Sequence, residues 1–358
     1  MLLTRITRGN SLKRGQRVTS RDVAELAGVS RTTVSFVLNE VQDVHISQET
    51  RQRVLEAARQ LNYYPNAAAR SLASRQAGAI GLILCQSPEH IIADPFLPGF
   101  ILGLGEAVRE NGFHLLIQAV EDVTRPDAYV HLVHTRRIDG VIISGPRSDD
   151  QQLSRLLEDG FPVVLHGRLD GEETCCVDVD NVKGAVLAVR HLIGLGYRRI
   201  ALITNAPLQY TASADRHQGY RMAMAEASLP YDESLVRCAH FTAESGYQAM
   251  NQLLTAGPAP EAIFVASDLV AMGAILALRR RGMNVPQDMA LIGFDDVPLA
   301  GYVDPPLTTI RLPTYDLGWQ TGDLLARLIR GEPPVQKAVL LETELVIRES
   351  CGAGLLSN

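Results

Sequence analysis

The spacing of apolar residues changes twice along the chain. Residues 1–17 show no periodicity and carry five basic residues and no acid. They are expected to form a basic flexible tail. From Val18 a helical rhythm begins: Val23, Ala24, Leu26 and Ala27 follow a Thr19–Ser20 cap, and Gly28 ends the run. Ser30 caps a second predicted helix, Arg31–Leu38, with Val34, Val37 and Leu38 turned inward and Arg31, Thr32 and Ser35 left outside. A third runs from the cap Ser47 to about Leu61, burying Val54, Leu55, Ala58 and Leu61. Two short helices joined by a glycine-containing turn make a helix-turn-helix, whose second helix fits the DNA major groove. On these residues alone a generic helical bundle remains the alternative. The following stretch, Asn66–Ala73, is helix-prone and basic at Arg70. It is too short to hold a helix alone in water, which suits a segment that orders on a partner.

Beyond Arg75 the rhythm becomes an alternation of apolar strands and amphipathic helices. A first series reads as strands Ala79–Cys85, Phe113–Ala119, Gly140–Ser144 and Pro162–Leu165, with helices Leu97–Glu110, Asp127–Arg137 and Asp150–Glu158 between them. A second has strands Arg199–Thr204, Leu235–Ala239, Ala262–Ala266 and Ala290–Phe294, with helices Val182–Leu195, Ala214–Ala227, Ser245–Thr255 and Leu269–Arg281. Such series predict doubly wound parallel sheets covered on both faces. Two series predict two lobes, with a ligand in the crevice at the strands' C-terminal ends. Asp94, Ser144, His166-Gly167-Arg168, Asn205, Asp268 and Asp295-Asp296 all fall near such ends, as a polar ring suited to a small hydroxylated or charged ligand.

Composition adds one asymmetry. The 358 residues are 46% hydrophobic and 21% charged, with a net charge of −6, which excludes a largely disordered chain. The first 75 residues hold twelve bases against six acids, leaving 22 bases against 34 acids in the remainder. A basic head on an acidic body suits a nucleic-acid-binding head. Five of those six positive units precede Val18, so the helix-turn-helix bases are placed rather than abundant. No apolar run reaches membrane-span length, no signal-peptide core is visible, and the five scattered cysteines form no C-x-x-C pair. A cytoplasmic protein with reduced thiols and no membrane partner is expected. There is no Gly-x-Ser-x-Gly or Walker-type loop, and Lys13, Lys183 and Lys337 are the only lysines. Neither Asp295-Asp296 nor the His131/His134 pair has a third ligand at metal-site spacing. No enzyme activity, cofactor or metal is expected.

The motifs Asp22-Val23-Ala24, Ala27-Gly28-Val29-Ser30, Thr33-Val34-Ser35, Leu38-Asn39, Leu61-Asn62-Tyr63, Pro65-Asn66 and Ala69-Arg70-Ser71-Leu72 keep order and spacing over more than fifty residues. With them the chain closely resembles the lactose/galactose repressor family. The likeness continues through Ile138-Asp139-Gly140-Val141-Ile142, Arg216-x-x-Gly219-Tyr220, Ser267-Asp268, Gly293-Phe294-Asp295 and Pro306-Leu307-Thr308-Thr309-Ile310. It implies a small all-α helix-turn-helix domain over 18–63 and a hinge helix over 64–75. A two-lobed α/β effector and dimerisation domain of the periplasmic-binding-protein kind follows over 76–358. Lobe one is expected at about 76–176 and 314–333, lobe two at about 177–310 and 334–350.

That resemblance implies a homodimeric repressor on a near-palindromic operator in double-stranded DNA. DNA contacts are expected from Thr19, Ser30, Arg31, Thr32, Thr33, Ser35 and Asn39, and from Asn66, Ala69 and Leu72 of the hinge. Arg31 and Thr32 match the family's base-reading positions, while Leu72 matches a leucine wedged into a minor-groove base step. Phe36 stands where several members have Arg or His. Effector contacts are expected from Phe96, Ser144, Arg168, Arg216, Phe241 and Asp268. Tyr210 replaces an arginine of the purine-responsive branch, which favours a mono- or disaccharide over a purine corepressor. The tail Glu349–Asn358 is too short for a coiled coil, pointing to a dimer. The alternatives are a sugar-binding transport receptor and a corepressor-type regulator answering to a purine or other metabolite.

Overall fold

Val23, Val34 and Val54, each with no exposed surface, form the centre of the N-terminal helical cluster. The structure is a computed structural model that describes residues 18–39, 44–64, 76–123, 125, 128–169 and 174–354. The chain divides into two compact units, Met1–Gln76 and Ala77–Asn358. The basic tail and the hinge positions Asn66, Ala69 and Leu72 lie outside the described residues.

In the first unit, α1 spans Ser20–Ala27, α2 Arg31–Leu38 and α3 Gln48–Gln60. The Asp22 carboxylate accepts the Thr19 backbone N–H at 2.7 Å and its hydroxyl at 2.8 Å, which fixes the start of α1. Gly28 ends it in the left-handed region at φ 65°, where a side chain would be strained. The Val29 N–H then reaches back to the Ala24 carbonyl at 3.0 Å, so the turn is a Schellman closure. Leu55, expected to be buried, is instead exposed at 37%, and Leu26, part of the apolar rhythm of the first helix, is exposed at 50%. Inward stripes are set by Val23, Ala24 and Ala27 on α1 and by Val54, Ala57 and Ala58 on α3. At about 100° per residue, Leu26 and Leu55 fall off those stripes.

The second unit begins with β1 (Ala79–Leu84), α4 (Pro88–Ala93), α5 (Leu97–Glu110), β2 (His114–Ala119), α6 (Val130–His134), β3 (Gly140–Ser144), α7 (Gln151–Glu158), β4 (Val163–His166) and β5 (Cys176–Val179). It continues with α8 (Asn181–Gly194), β6 (Ile200–Thr204), α9 (Thr211–Glu226), β7 (Val236–Cys238), α10 (Ala243–Ala256), β8 (Ala262–Val265), α11 (Asp268–Arg280) and β9 (Ala290–Ile292). β10 (Thr309–Arg311), α12 (Thr314–Ile329), β11 (Ala338–Leu341) and β12 (Glu344–Val346) complete it. Among the described residues, no helix is long and apolar enough to cross a membrane.

Lobe one is a parallel six-stranded sheet in the order β11-β5-β4-β3-β1-β2; lobe two is a parallel four-stranded sheet, β7-β6-β8-β9. Alternation sends Ile80, Leu82 and Leu84 to the side of Phe100 and Leu104 on α5, and Ile83 to the side of Leu132, Leu153 and Leu156. Both faces are therefore covered, as the near-continuous apolar strands require. Gly103 of α5 and Gly318 of α12 let these helices touch backbone to backbone. A Cβ at Gly103 would lie 2.0 Å from the Tyr315 carbonyl oxygen, and one at Gly318 2.0 Å from that of Phe100.

The expected lobe boundaries need correction. β5 pairs with β4 (Leu165↔Cys176, His166↔Val177) and β11 with β5 (Ala338↔Cys176). Residues 177–179 and 338–341 thus extend the lobe-one sheet instead of belonging to lobe two. The chain crosses between lobes after β5, after β10, and between β11 and β12.

Candidate functional site

The two units each carry a distinct candidate surface. Thr19 at the start of α1, and Ser30, Arg31, Thr32, Ser35 and Asn39 on α2 and its caps, are exposed, and Thr33 is half-buried. Several also hold the helix together. Ser30 Oγ accepts the Thr33 N–H at 3.1 Å and lies 2.9 Å from its hydroxyl, while Asn39 Nδ2 donates to Ser35 Oγ at 3.2 Å. Arg31 and Thr32, in the first turn after this cap, have no side-chain hydrogen bond among the described residues. They project a guanidinium and a hydroxyl from the N-terminal turn of the second helix, which in a helix-turn-helix approaches base edges. Phe36 is half-buried and is not part of the apolar cluster of this unit.

In the second unit, the C-terminal ends of β1, β3 and β4 face those of β6, β8 and β9 across a cavity of about 900 Å³, counted to its open mouth. In both sheets the cavity lies where strand order reverses, between β1 and β3 and between β6 and β8. Phe96, Ser144, Arg216 and Phe241 line it, as do Asp94, His166, Asn205 and Asp295 of the expected polar ring.

Aromatic walls close two sides. The His166 ring lies nearly parallel to Phe96, with centroids 5.5 Å apart, and stacks on Phe100 at 4.2 Å. Its Nδ1 is 2.9 Å from Ser144 Oγ, and burial pushes its pKa down to about 4, so the ring is neutral at physiological pH. Opposite, Phe241 meets Tyr210 edge-to-face at 4.9 Å. Phe241 has φ 62°, strained for a bulky side chain, and its N–H donates to the Asn205 carbonyl at 2.7 Å. Strain of this kind, about 1–3 kcal/mol, persists where surrounding structure enforces it and often marks functional positions.

Arg216 forms the polar centre. It is buried; its Nε donates to Asn181 Oδ1 at 2.9 Å and its Nη1 to the Ala266 carbonyl at 2.7 Å. Nη1 also lies 3.5 Å from Asp295 Oδ1, and the guanidinium sits 3.9 Å over the Phe294 ring. Several carboxylates feel its charge, among them Asp94, Asp178 and Asp295. Burial raises Asp178 to about 7 and Asp94 to about 6, and burial together with Asp94 raises Asp295.

Two expected effector residues are placed elsewhere. Asp268 has no exposed surface and does not line the cavity. Its Oδ1 accepts the Thr309 hydroxyl at 2.6 Å and its Oδ2 the Val297 N–H at 3.0 Å, so it fastens α11 to the strand-end loops. Asp295, like Asp94 and Asp178, lines the cavity instead. Arg168 lines adjoining grooves and faces Asp215 across the lobes at 3.6 Å, which draws it away from the cavity. Asp178, Asn181, Gln86 and Thr211 also line the cavity and were not singled out as effector contacts. An aspartate inside the apolar stretch Cys175–Val179 is the sequence signal that could have flagged Asp178.

Residues 19–66 match the model of bacterial regulatory proteins, lacI family, and residues 189–351 that of a periplasmic binding protein-like domain. The HTH-type transcriptional regulator CelR of Thermobifida fusca is 38% identical over 342 residues, covering 95% of this chain and all of that protein. The HTH-type transcriptional repressor PurR of Haemophilus influenzae is 34% identical over 337 residues, covering 93% of this chain and 98% of that one. Among solved structures, a CelR–cellobiose complex superposes with a TM-score of 0.72 at 37% identity, covering 93% of this chain and 100% of that one. A lac repressor dimer bound to operator and an anti-inducer gives 0.83 at 30% identity, covering 94% and 99%. With helix-turn-helix, two-lobed cleft and near-complete likeness all in agreement, the chain belongs to the lacI family of bacterial regulatory proteins and is a DNA-binding transcriptional regulator.

Proposed function

We propose that this protein is a cytoplasmic homodimeric repressor whose hold on a near-palindromic operator is released by a mono- or disaccharide bound between the lobes. The observation that carries the sugar reading is the cavity itself, where two aromatic walls flank a buried guanidinium and carboxylates. Such walls suit the faces of a pyranose ring, and the charged groups suit its hydroxyls. The cellobiose held by CelR supports the same class. Tyr210 argues against a purine corepressor, because its hydroxyl donates to the Cys85 carbonyl at 2.8 Å and leaves no donor at the position of the branch's arginine. The effector is bound and released unchanged, and Arg31 and Thr32 read the operator. Sugar binding favours one arrangement of the lobes and so needs only about 1–3 kcal/mol of coupling to the hinge, with Leu72 as its wedge.

The test is fluorescence anisotropy of the full chain with DNA from upstream of its own gene, titrated with neutral sugars and purine bases. Saturable binding that a sugar weakens is the expected result. A purine that tightens binding would reverse the effector assignment, and no binding even at low salt would favour a sugar-transport receptor.

A further inference from the structure

The cleft differs from a general polyol site in its balance of charge and of hydrogen-bonding groups. Asp94, just after α4, accepts the Phe96 N–H at 2.9 Å; Asp178, on β5, accepts the Val179 N–H at 2.7 Å and lies 3.2 Å from Asn181 Nδ2. Asp295, after β9, leans on Arg216. Three carboxylates from three elements therefore line the cavity, with Arg216 as the one cation among its described lining residues. The nearest other arginines are paired outside it, Arg147 with Asp149 at 2.6 Å and Arg168 with Asp215 at 3.6 Å.

Several donors of the lining are already engaged. Arg216 donates to Asn181 and Ala266, Tyr210 to Cys85, and Thr211 Oγ1 to Pro146 at 3.4 Å. Gln86 and Asn205, the latter more than nine-tenths buried, add amide groups that can both donate and accept and so do not offset the carboxylates. An excess of carboxylates over cations calls for a ligand that brings hydrogens.

Resting on the sugar reading above, we infer that Asp94, Asp178 and Asp295 make the cleft a filter that admits uncharged or amine-bearing saccharides and rejects their phosphorylated or carboxylated counterparts. A ligand anion meets like charge and further acceptors at once. One uncompensated like charge at ~6 Å and an effective dielectric of ~20 weakens binding roughly a hundredfold. Rejection through misplaced charge is a recognised route to specificity. The filter would tie the regulator to a free sugar delivered without phosphorylation, or produced from an oligosaccharide by hydrolysis.

The experiment is calorimetric titration of the full chain at pH 8, where the three carboxylates are ionised. The probes are glucose, galactose, lactose and cellobiose, set against glucuronate, galacturonate, glucose 6-phosphate and cellobiuronate. At least one neutral sugar should bind, with its anionic partner about a hundredfold or more weaker. In Asp94→Asn the ratio of the two Kd values should shrink about tenfold, and Asp178→Asn, measured separately, should shrink it likewise. An anionic sugar that binds as well as its neutral parent, or a ratio unmoved in both variants, overturns the filter while leaving the sugar reading intact. Binding of no sugar of either charge overturns the sugar reading itself.

Discussion

Tyr210 of lobe two donates its hydroxyl to the Cys85 carbonyl of lobe one at 2.8 Å, across the mouth of the cleft. Arg147 covers the tyrosine ring at 4.9 Å, and the flanking backbones pair through Ser148 N–H to Gln209 O at 2.9 Å and Thr211 N–H to Pro146 O at 3.2 Å. The lobes are thus held together by a short antiparallel seam with one aromatic at its centre. Tyr210→Phe keeps the ring packing and removes the donor to a buried carbonyl. Urea unfolding of the full chain should show a loss of about 1–2 kcal/mol. A change below about 0.3 kcal/mol would mean that water or another donor replaces the hydroxyl.

Burial and the neighbouring Asp295 carboxylate raise the affinity of Asp268 for its proton, yet the roles of the two aspartates separate. Asp268→Ala strips acceptors from Thr309 and Val297, both pinned by that carboxylate. It should destabilise the second unit by about 3 kcal/mol. Asp295→Asn should cost far less stability and weaken effector binding at least tenfold, because it changes the group that faces the cavity beside Arg216. Equal losses of both properties in the two variants would contradict this division, and thermal unfolding beside a sugar titration measures both.

Asp178 gives a pH signature. An unfolded aspartate titrates near about 3.9, whereas burial, with Asp215 adding to it, lifts Asp178 to about 7. Between about pH 4 and 7 the native state holds a proton that the unfolded state lacks, so this contribution to stability is lost as pH rises through 7. His166, pushed down to about 4, acts in the opposite direction: its contribution is complete above about 6.5 and fades as pH falls. Comparing the wild type with Asp178→Asn removes the imidazole from the difference. Going from pH 7.5 to 5.5, that difference should move by about 2 kcal/mol in favour of the wild type. A difference independent of pH would show that Asp178 is ionised in the folded protein.

Much of this was readable in the sequence because period and caps carried it. Leu97–Glu110 as a helix follows from its apolar stripe, and Ser30 as a cap follows from its place after Gly28-Val29. The lobe-one edge was not readable. β5 has four residues with an aspartate inside, β11 has four of which two are exposed, and neither length nor alternation marks them as strands. The exchange of Asp268 for Asp295 has a similar cause. Both stand at strand ends, and only the fold shows that Thr309 and Val297 enclose the first while the second stays beside Arg216. Leu55 looked like core because it is a leucine, although valines and alanines set the inward stripes.

On the DNA-binding unit, neighbouring residues should separate folding from recognition. Ser30 caps α2 through Thr33, so Ser30→Ala should lower the stability of that unit by about 1 kcal/mol and weaken all DNA binding in proportion. Arg31 makes no side-chain hydrogen bond among the described residues, so Arg31→Ala should leave stability within about 0.5 kcal/mol of wild type. If Arg31 reads a guanine edge, its loss should cost about 1–3 kcal/mol on operator DNA and relax preference at one base pair per half-site. The slope of log affinity against log salt should then stay nearly unchanged, because a base contact releases few phosphate counterions. A slope reduced by about one unit per half-site, with base preference intact, would reassign Arg31 to the phosphate backbone. Anisotropy titrations at several salt concentrations, on operator and on single-base variants, measure all three quantities together.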